Sequence, residues 1–244
     1  EAICEAVTRP SMRFVPIKSE ARQGVMMLHR TRDLLMRQRT MMLNAIRAHL
    51  AEFGIITAQG PHKLAALLDT LDEDRLPAIA RSALTSLTAQ LDSLAAEIRT
   101  LERQLLAWHR TDETSQRLET IPGVGLMTAT ALSASIPDPS VFKTGRQFAA
   151  FLGLVPRQNS SGGKERLGRI SKMGDGYLRR LLVVGATSVI RRVGTNTSAT
   201  GEWVRRLLER KPARVATVAM ANKTARIAWA VLARGETYRA PTMV

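Results

Sequence analysis

Ser160 and Ser161 head the run SSGGKERLGR, in which two glycines follow the serines and basic residues close in on both sides. A serine hydroxyl becomes a nucleophile only when a base or a metal ion helps remove its proton. Two adjacent glycines let a bulky substrate approach such a hydroxyl without steric conflict. Arg157, Lys164, Arg166 and Arg169 flank the pair and could clamp phosphate oxygens, the arginines in two-pronged fashion. This set of residue types suits a phosphodiester. Two roles fit it: a solvated cationic loop that only holds phosphate, or a loop that carries a nucleophilic serine to phosphorus. The residues by themselves leave both open.

Other chemistries find little support. The four histidines (His29, His49, His62 and His109) have no ligand spacing, and a chain with one cysteine, Cys4, is a poor zinc binder. SSGGKE is not a phosphate-binding P-loop: Gln158 stands where its first glycine would be, and Glu165 follows Lys164. Asp72, Glu73 and Asp74 read as a solvated charge run on a linker. No metal site is expected within this chain.

Charge distribution points to a polyanion. The 244 residues carry a net charge of +15. The first 139 residues hold 16 basic and 16 acidic side chains, and the remaining 105 hold 20 and 5, so the whole excess lies in the second part. A basic excess confined to one part reads as a nucleic-acid face, with DNA as the expected partner. No apolar run approaches the roughly 18 residues of a membrane span, so no membrane partner is expected. The lone cysteine suits a reducing, cytoplasmic setting.

The elements that must position the serine loop read as all-α. Residues 1–16 contain Pro10 and Pro16 and look irregular. A long helix is expected from Ser19 to about Leu50, with Leu28, Leu35 and Met42 seven apart, and then a short helix and linker to Pro77. Leu84, Leu87, Leu91, Leu94, Ile98, Leu101, Leu105 and Trp108 alternate in steps of three and four, the seam of a coiled coil. Such a seam needs a partner, either the first long helix or a second subunit. In TIPGVGLMTATALSASI, Gly123 and Gly125 suggest a helix-hairpin-helix turn whose amides face a phosphate. An ordinary helix–helix turn is the alternative, and Met127 stands where such hairpins often carry lysine. Residues 145–158 read as a short amphipathic helix capped at Gly153 and stopped by Pro156. Two apolar helices with arginine edges follow, 177–192 and 214–235, the second ending at Gly235. No strand pattern of useful length is visible after residue 17.

Three stretches carry a family resemblance: IPGVGLMTATAL, RQFAAFLGLVPRQNSSGGKERLGRISKMGDGYLRRLLV and the N-terminal EAICEA…RPSMRFVPIKSEARQG…LHRTRDLLMRQRT. Together they closely resemble the transposases of DEDD-type insertion sequences, a group that includes bridge-RNA-guided recombinases. The resemblance implies three regions: the end of a RuvC-like domain in 1–18, a coiled-coil region in 19–113, and a C-terminal transposase domain in 114–244. It implies that Ser161, the serine directly before glycine, attacks a DNA phosphodiester to form a covalent phosphoserine intermediate. It also implies that Mg²⁺ on four acidic residues stabilises the attacking and leaving oxygens. Those acids are expected upstream of Glu1, so the chain reads as an N-terminally truncated transposase, inactive by itself. The nucleic-acid-binding set expected with Ser161 is Gly123, Gly125, Arg157, Ser160, Lys164, Arg166, Arg169, Lys172, Arg179 and Arg180. A guide RNA and a homo-oligomer, dimer or tetramer, are the other implied partners. The alternative is a truncated product that binds DNA or RNA without catalysis.

Overall fold

The computed structural model describes residues 2–10, 16–71, 75–195 and 198–240. The acidic run Asp72, Glu73 and Asp74 lies outside the described residues. Ten helices are described: α1 (Ala2–Thr8), α2 (Glu20–Glu52), α3 (Pro61–Asp69), α4 (Ala78–Thr111), α5 (Glu113–Glu119), α6 (Leu126–Ser135), α7 (Gly145–Phe151), α8 (Gly176–Arg191), α9 (Ala199–Leu208) and α10 (Ala213–Arg234). The described fold is mostly helical, as the sequence implies. The chain forms two compact units, one of residues Met27–Ala107 and one of Glu1–Met26 with Trp108–Val244.

In the first unit the heptad seam finds its partner within the chain. Ile46, Leu50, Ile55, Leu64 and Leu76 form a buried cluster, and Leu84, Leu87 and Leu91 of the seam pack against it. Farther along α4, Leu94, Ile98 and Leu105 are also buried. The Arg32 guanidinium donates to Glu102 Oε1 from Nε at 2.9 Å and from Nη2 at 2.5 Å. Arg32 therefore meets the far end of α4 while Leu50 meets its beginning, and α2 and α4 run antiparallel. A seam that could have joined two subunits is satisfied by a fold-back.

The second unit is built around α6. Every residue from Thr128 to Ala134 is buried, so this helix has no solvent face. Its small residues permit that, and Thr130 Oγ1 returns its hydrogen to the Leu126 carbonyl at 2.7 Å. α8 presents Leu178, Leu182, Ala186 and Val189 along one stripe, and α10 presents Ala221, Ala225 and Ala228. These join Phe148, Leu152 and Leu154 in a single core. Side chains cap the starts: Asp112 accepts from Ser115 N, Thr144 from Gln147 N, and Asp175 from Tyr177 N and Leu178 N. Gly235 ends α10 in the left-handed conformation, φ 68°.

One stretch departs from the all-helical reading. The helix expected within residues 145–158 forms only over Gly145–Phe151. α7 stops at Phe151, and Gly153 at φ 68° closes it with Leu154 N–H on the Ala149 carbonyl and its own N–H on that of Ala150. The cap falls where the sequence puts it. The chain then turns into a two-stranded antiparallel ribbon, β1 (Pro156–Gln158) and β2 (Leu167–Ile170). Its strands are too short and too exposed to show an alternating pattern.

Candidate functional site

The serine run is the tip of this ribbon. Ser161 and Lys164 face each other in an isolated bridge, with Lys164 N–H on the Ser161 carbonyl at 3.1 Å. Gly162 and Gly163 between them have φ of 55° and 75°. Two successive left-handed residues make the type I′ turn that matches strand twist, and glycine suits it because it has no Cβ to clash. The glycines that seem at first only to open space thus fix Ser161 at the first position of a tight turn. The loop expected from sequence is an ordered hairpin.

The two serines differ in how their hydroxyls are used. Ser160 Oγ accepts from Arg166 N at 2.9 Å and from Gln158 Nε2 at 3.4 Å. It ties the two strands together just below the turn. The exposed Ser161 hydroxyl has no hydrogen-bond partner among the described residues. It is presented outward, and no described side chain activates it.

Around it the basic residues divide by task. Arg157, Lys164, Arg166, Arg169 and Lys172 are exposed. Pro156 pairs with Ile170 and Gln158 with Leu167, so Gly168 and Arg169 together oppose the single Arg157, a bulge that sharpens the local twist. Arg157 Nη2 also reaches the Ser171 carbonyl at 3.3 Å. Lys172 holds φ 56°, unusual for a residue with a Cβ, while its N–H bonds the Gly153 carbonyl at 3.1 Å. Arg179 points inward: its Nη1 donates to the Leu152 carbonyl at 3.0 Å and the Met173 carbonyl at 3.5 Å. Arg180 lies over the Tyr177 ring, 5.3 Å from its centroid.

The base of the hairpin is locked by backbone approach. A Cβ on Gly153 would fall 2.2 Å from the Met173 carbonyl oxygen, and one on Gly174 (φ 90°) would fall 1.8 Å from that of Phe151. With Arg179 bridging the same segments, the ribbon leaves the core at a fixed angle. Arg179 and these two glycines are positioning residues; the glycine content of the segment was the only sequence signal for them.

Gly123 and Gly125 also separate. Gly123 (φ 85°) packs against α8, whereas Gly125 opens α6, is exposed and has open space where a Cβ would stand.

A serine–histidine–carboxylate array also exists elsewhere. His109 Nδ1 lies 2.7 Å from Ser115 Oγ and its Nε2 lies 2.9 Å from Glu119 Oε2. Ser115 is completely buried, so its hydroxyl meets no substrate. Asp112 accepts from Ser115 N and from Ser133 Oγ, and the array acts as a latch between α4, α5 and α6. Among the described residues no group of His, Cys, Asp and Glu could hold a metal ion, and no helix is long and apolar enough to cross a membrane.

Residues 115–202, which span the hairpin turn, α6, the ribbon and α8, match the family model described as Transposase IS116/IS110/IS902 family. The chain is 50% identical to a Pseudomonas aeruginosa protein named "Probable family 20 transposase", over 98% of this chain and 72% of the relative. It is 42% identical to the transposase for insertion sequence element IS1328 of Yersinia enterocolitica, over 98% of this chain and 71% of the relative. For the transposase for insertion sequence element IS1111A of Coxiella burnetii the identity is 41%, over 98% of this chain and 66% of the relative. The chain thus spans about two thirds of the length of the relatives it matches.

Proposed function

The chain belongs to the IS116/IS110/IS902 transposase family, and from that premise we propose that it carries the serine half of a DNA strand-transfer site. Ser161 Oγ attacks phosphorus, the new Oγ–P bond forms as the bond to one DNA oxygen breaks, and the departing oxygen takes up a proton. The ester keeps the energy of the phosphodiester, so a second DNA hydroxyl can displace the serine without ATP. The observation that carries this reading is the contrast at the turn: Ser160 is tied into the ribbon, while Ser161 is presented free at its tip. Exposed Arg157, Lys164, Arg166 and Arg169 would hold the phosphate oxygens and meet the charge that develops on them.

The carboxylates that would hold Mg²⁺ belong to this proposal through the family resemblance, which puts them outside this chain, and no step here runs through the ion. A guide RNA, a dimeric or tetrameric assembly and a helix-hairpin-helix contact at Gly125 belong to the same proposal. A second reading, a binding module without catalysis, draws on the lack of any hydrogen-bond partner for the Ser161 hydroxyl among the described residues.

The test is a covalent adduct. This chain, completed with the additional segment its relatives possess and supplied with Mg²⁺ and guide RNA, should give a protein–DNA band that survives denaturing electrophoresis. Ser161→Ala should abolish it while leaving DNA binding within a few-fold, and Ser160→Ala should retain it at reduced yield. An adduct that persists in Ser161→Ala would reject the assignment. The chain as given should form none.

A further inference from the structure

A groove of about 930 Å³ opens at the base of the ribbon, where Pro156 and Ile170, paired across the strands, form one wall. α10 forms the other through Asn222, Lys223, Arg226 and Trp229, and Trp203 of α9 closes one side. Its cations are Arg146, Lys223 and Arg226, and no carboxylate lines it. Its floor is apolar and aromatic. We infer that this groove seats single-stranded nucleic acid, taking an unpaired base against its aromatic wall and the adjoining phosphates on Arg226, Lys223 and Arg146. The inference rests on the reading of the ribbon as a DNA-handling element and adds a second contact to it.

Four observations converge. The volume falls in the range of roughly 300–1,000 Å³ typical of sites that enclose one small molecule, which admits a nucleotide or two but not a duplex. An apolar aromatic surface beside cations is the combination that unpaired bases use, since stacking needs a ring face that base pairing within a helix hides. The rings are held in place: Trp229 Nε1 donates to the Pro139 and Phe142 carbonyls at 3.3 and 3.2 Å, and the Lys223 ammonium lies over one face of Trp203, 4.2 Å from the ring centroid, so a base stacks on Trp203 only where Lys223 does not cover it. Burial, and then the neighbouring Arg226, lower the Lys223 pKa from its ordinary value, so the groove holds cations crowded together that a phosphate would relieve. Charge complementarity selects a polyanion over a protein segment.

The ribbon makes the geometry useful. Pro156 and Ile170 line the groove, whereas the exposed Arg157 and Arg169, at the bulge beside them, do not. A duplex held by the exposed arginines at the Ser161 tip could therefore send one displaced strand around the ribbon base into the groove.

The experiment measures binding of this chain to a fluorescent oligothymidylate of about 20 nucleotides and to a duplex of equal length. Trp203→Leu should weaken oligothymidylate binding roughly tenfold while leaving duplex affinity within about twofold. Arg226→Glu, at an exposed position that does not threaten folding, should weaken it by at least as much. Oligothymidylate binding unchanged in both variants overturns the groove and leaves the Ser161 reading intact. Wild-type binding of duplex but not of oligothymidylate does the same. Loss of self-association in these variants, with unchanged oligothymidylate affinity, would assign the groove to a second copy and overturn the proposal. Failure of the Ser161 reading shows separately, as an adduct that survives Ser161→Ala.

Discussion

The carbonyl oxygen of Gly123 lies 1.8 Å from where a Cβ on Gly185 would stand, so the turn before α6 and the middle of α8 touch through bare backbone. The contact is reciprocal: a Cβ on Gly123, already at φ 85°, would meet Val189 Cγ2 at 2.9 Å and the Gly185 oxygen at 3.0 Å. Gly123, which sequence reading assigns to phosphate, is thus also a point of close packing. Gly185→Ala must push two backbones apart, and it should cost at least about 3 kcal/mol, at the upper end of overpacking penalties. Gly125→Ala, with open space around it and φ −103°, should cost less than about 1 kcal/mol. Urea denaturation followed by circular dichroism measures both. Equal stability of Gly185→Ala and wild type would show that the close contact is not maintained.

The antiparallel pairing of α2 and α4 changes what a seam mutation should do. Leu91 packs on the cluster around Ile46 and Leu50, and Ile98 is 4% exposed. Leu91→Lys with Ile98→Lys would put one ammonium in the buried seam at 98 and another at the half-buried edge of the Ile46 cluster, at several kcal/mol. The expected result is loss of cooperative melting in the unit of residues 27–107, with no clean dissociation into folded subunits. Sedimentation equilibrium that instead shows a smaller, fully helical particle would return the seam to an intersubunit role.

Acid sensitivity follows from His29. It is completely buried, and burial first, then the Arg32 charge, lower its pKa from 6.5 to about 4. The unfolded chain therefore binds this proton more readily than the folded one between those values. Folding stability should be full above about pH 6.5 and fall by as much as roughly 3 kcal/mol as pH drops toward 4. His29→Gln removes that titration and should flatten the dependence in denaturation curves at pH 7 and pH 4.5. The same slope in the variant would place the acid sensitivity elsewhere.

The longer helices were legible because their signals are local and repeated, whereas α1, in a stretch read as irregular, and the short α5 and α9 were not. The three-four alternation marks α4, and Gly153 and Gly235 mark two helix ends, each at the place expected. The ribbon was not legible. Its strands are three and four residues long and almost wholly exposed, so they carry no apolar alternation, and only the glycine pair after Ser161 signals the turn. The place of Arg179 was not legible for a different reason. Composition groups it with the exposed cations, whereas its position one turn into α8 directs it to the carbonyls of Leu152 and Met173. The groove draws on α7, the ribbon, α9 and α10, from Gly145 to Ala230, and no linear motif links them. The partner of the seam, fold-back or second subunit, is likewise not written in the heptads, which suit either.

The difference between exposed and inward arginines can be read in salt. Each phosphate neutralised by a cation releases condensed counterions, and log affinity falls against log salt with a slope of about 0.9 per contact on duplex DNA. Arg157, Arg166 and Arg169 stand exposed on the ribbon. Alanine at any one of them should weaken duplex binding across sequences and lower the slope by about one. Arg179 donates instead to two main-chain carbonyls at the ribbon base. Arg179→Ala should therefore leave the slope unchanged and lower the melting temperature, because two carbonyls lose a charged donor. Fluorescence anisotropy titrations between about 50 and 200 mM salt, beside thermal melts, separate the two behaviours. A slope that falls in Arg179→Ala as far as in Arg166→Ala would mean that Arg179 leaves its carbonyls for phosphate when DNA arrives, and that the ribbon base opens on binding.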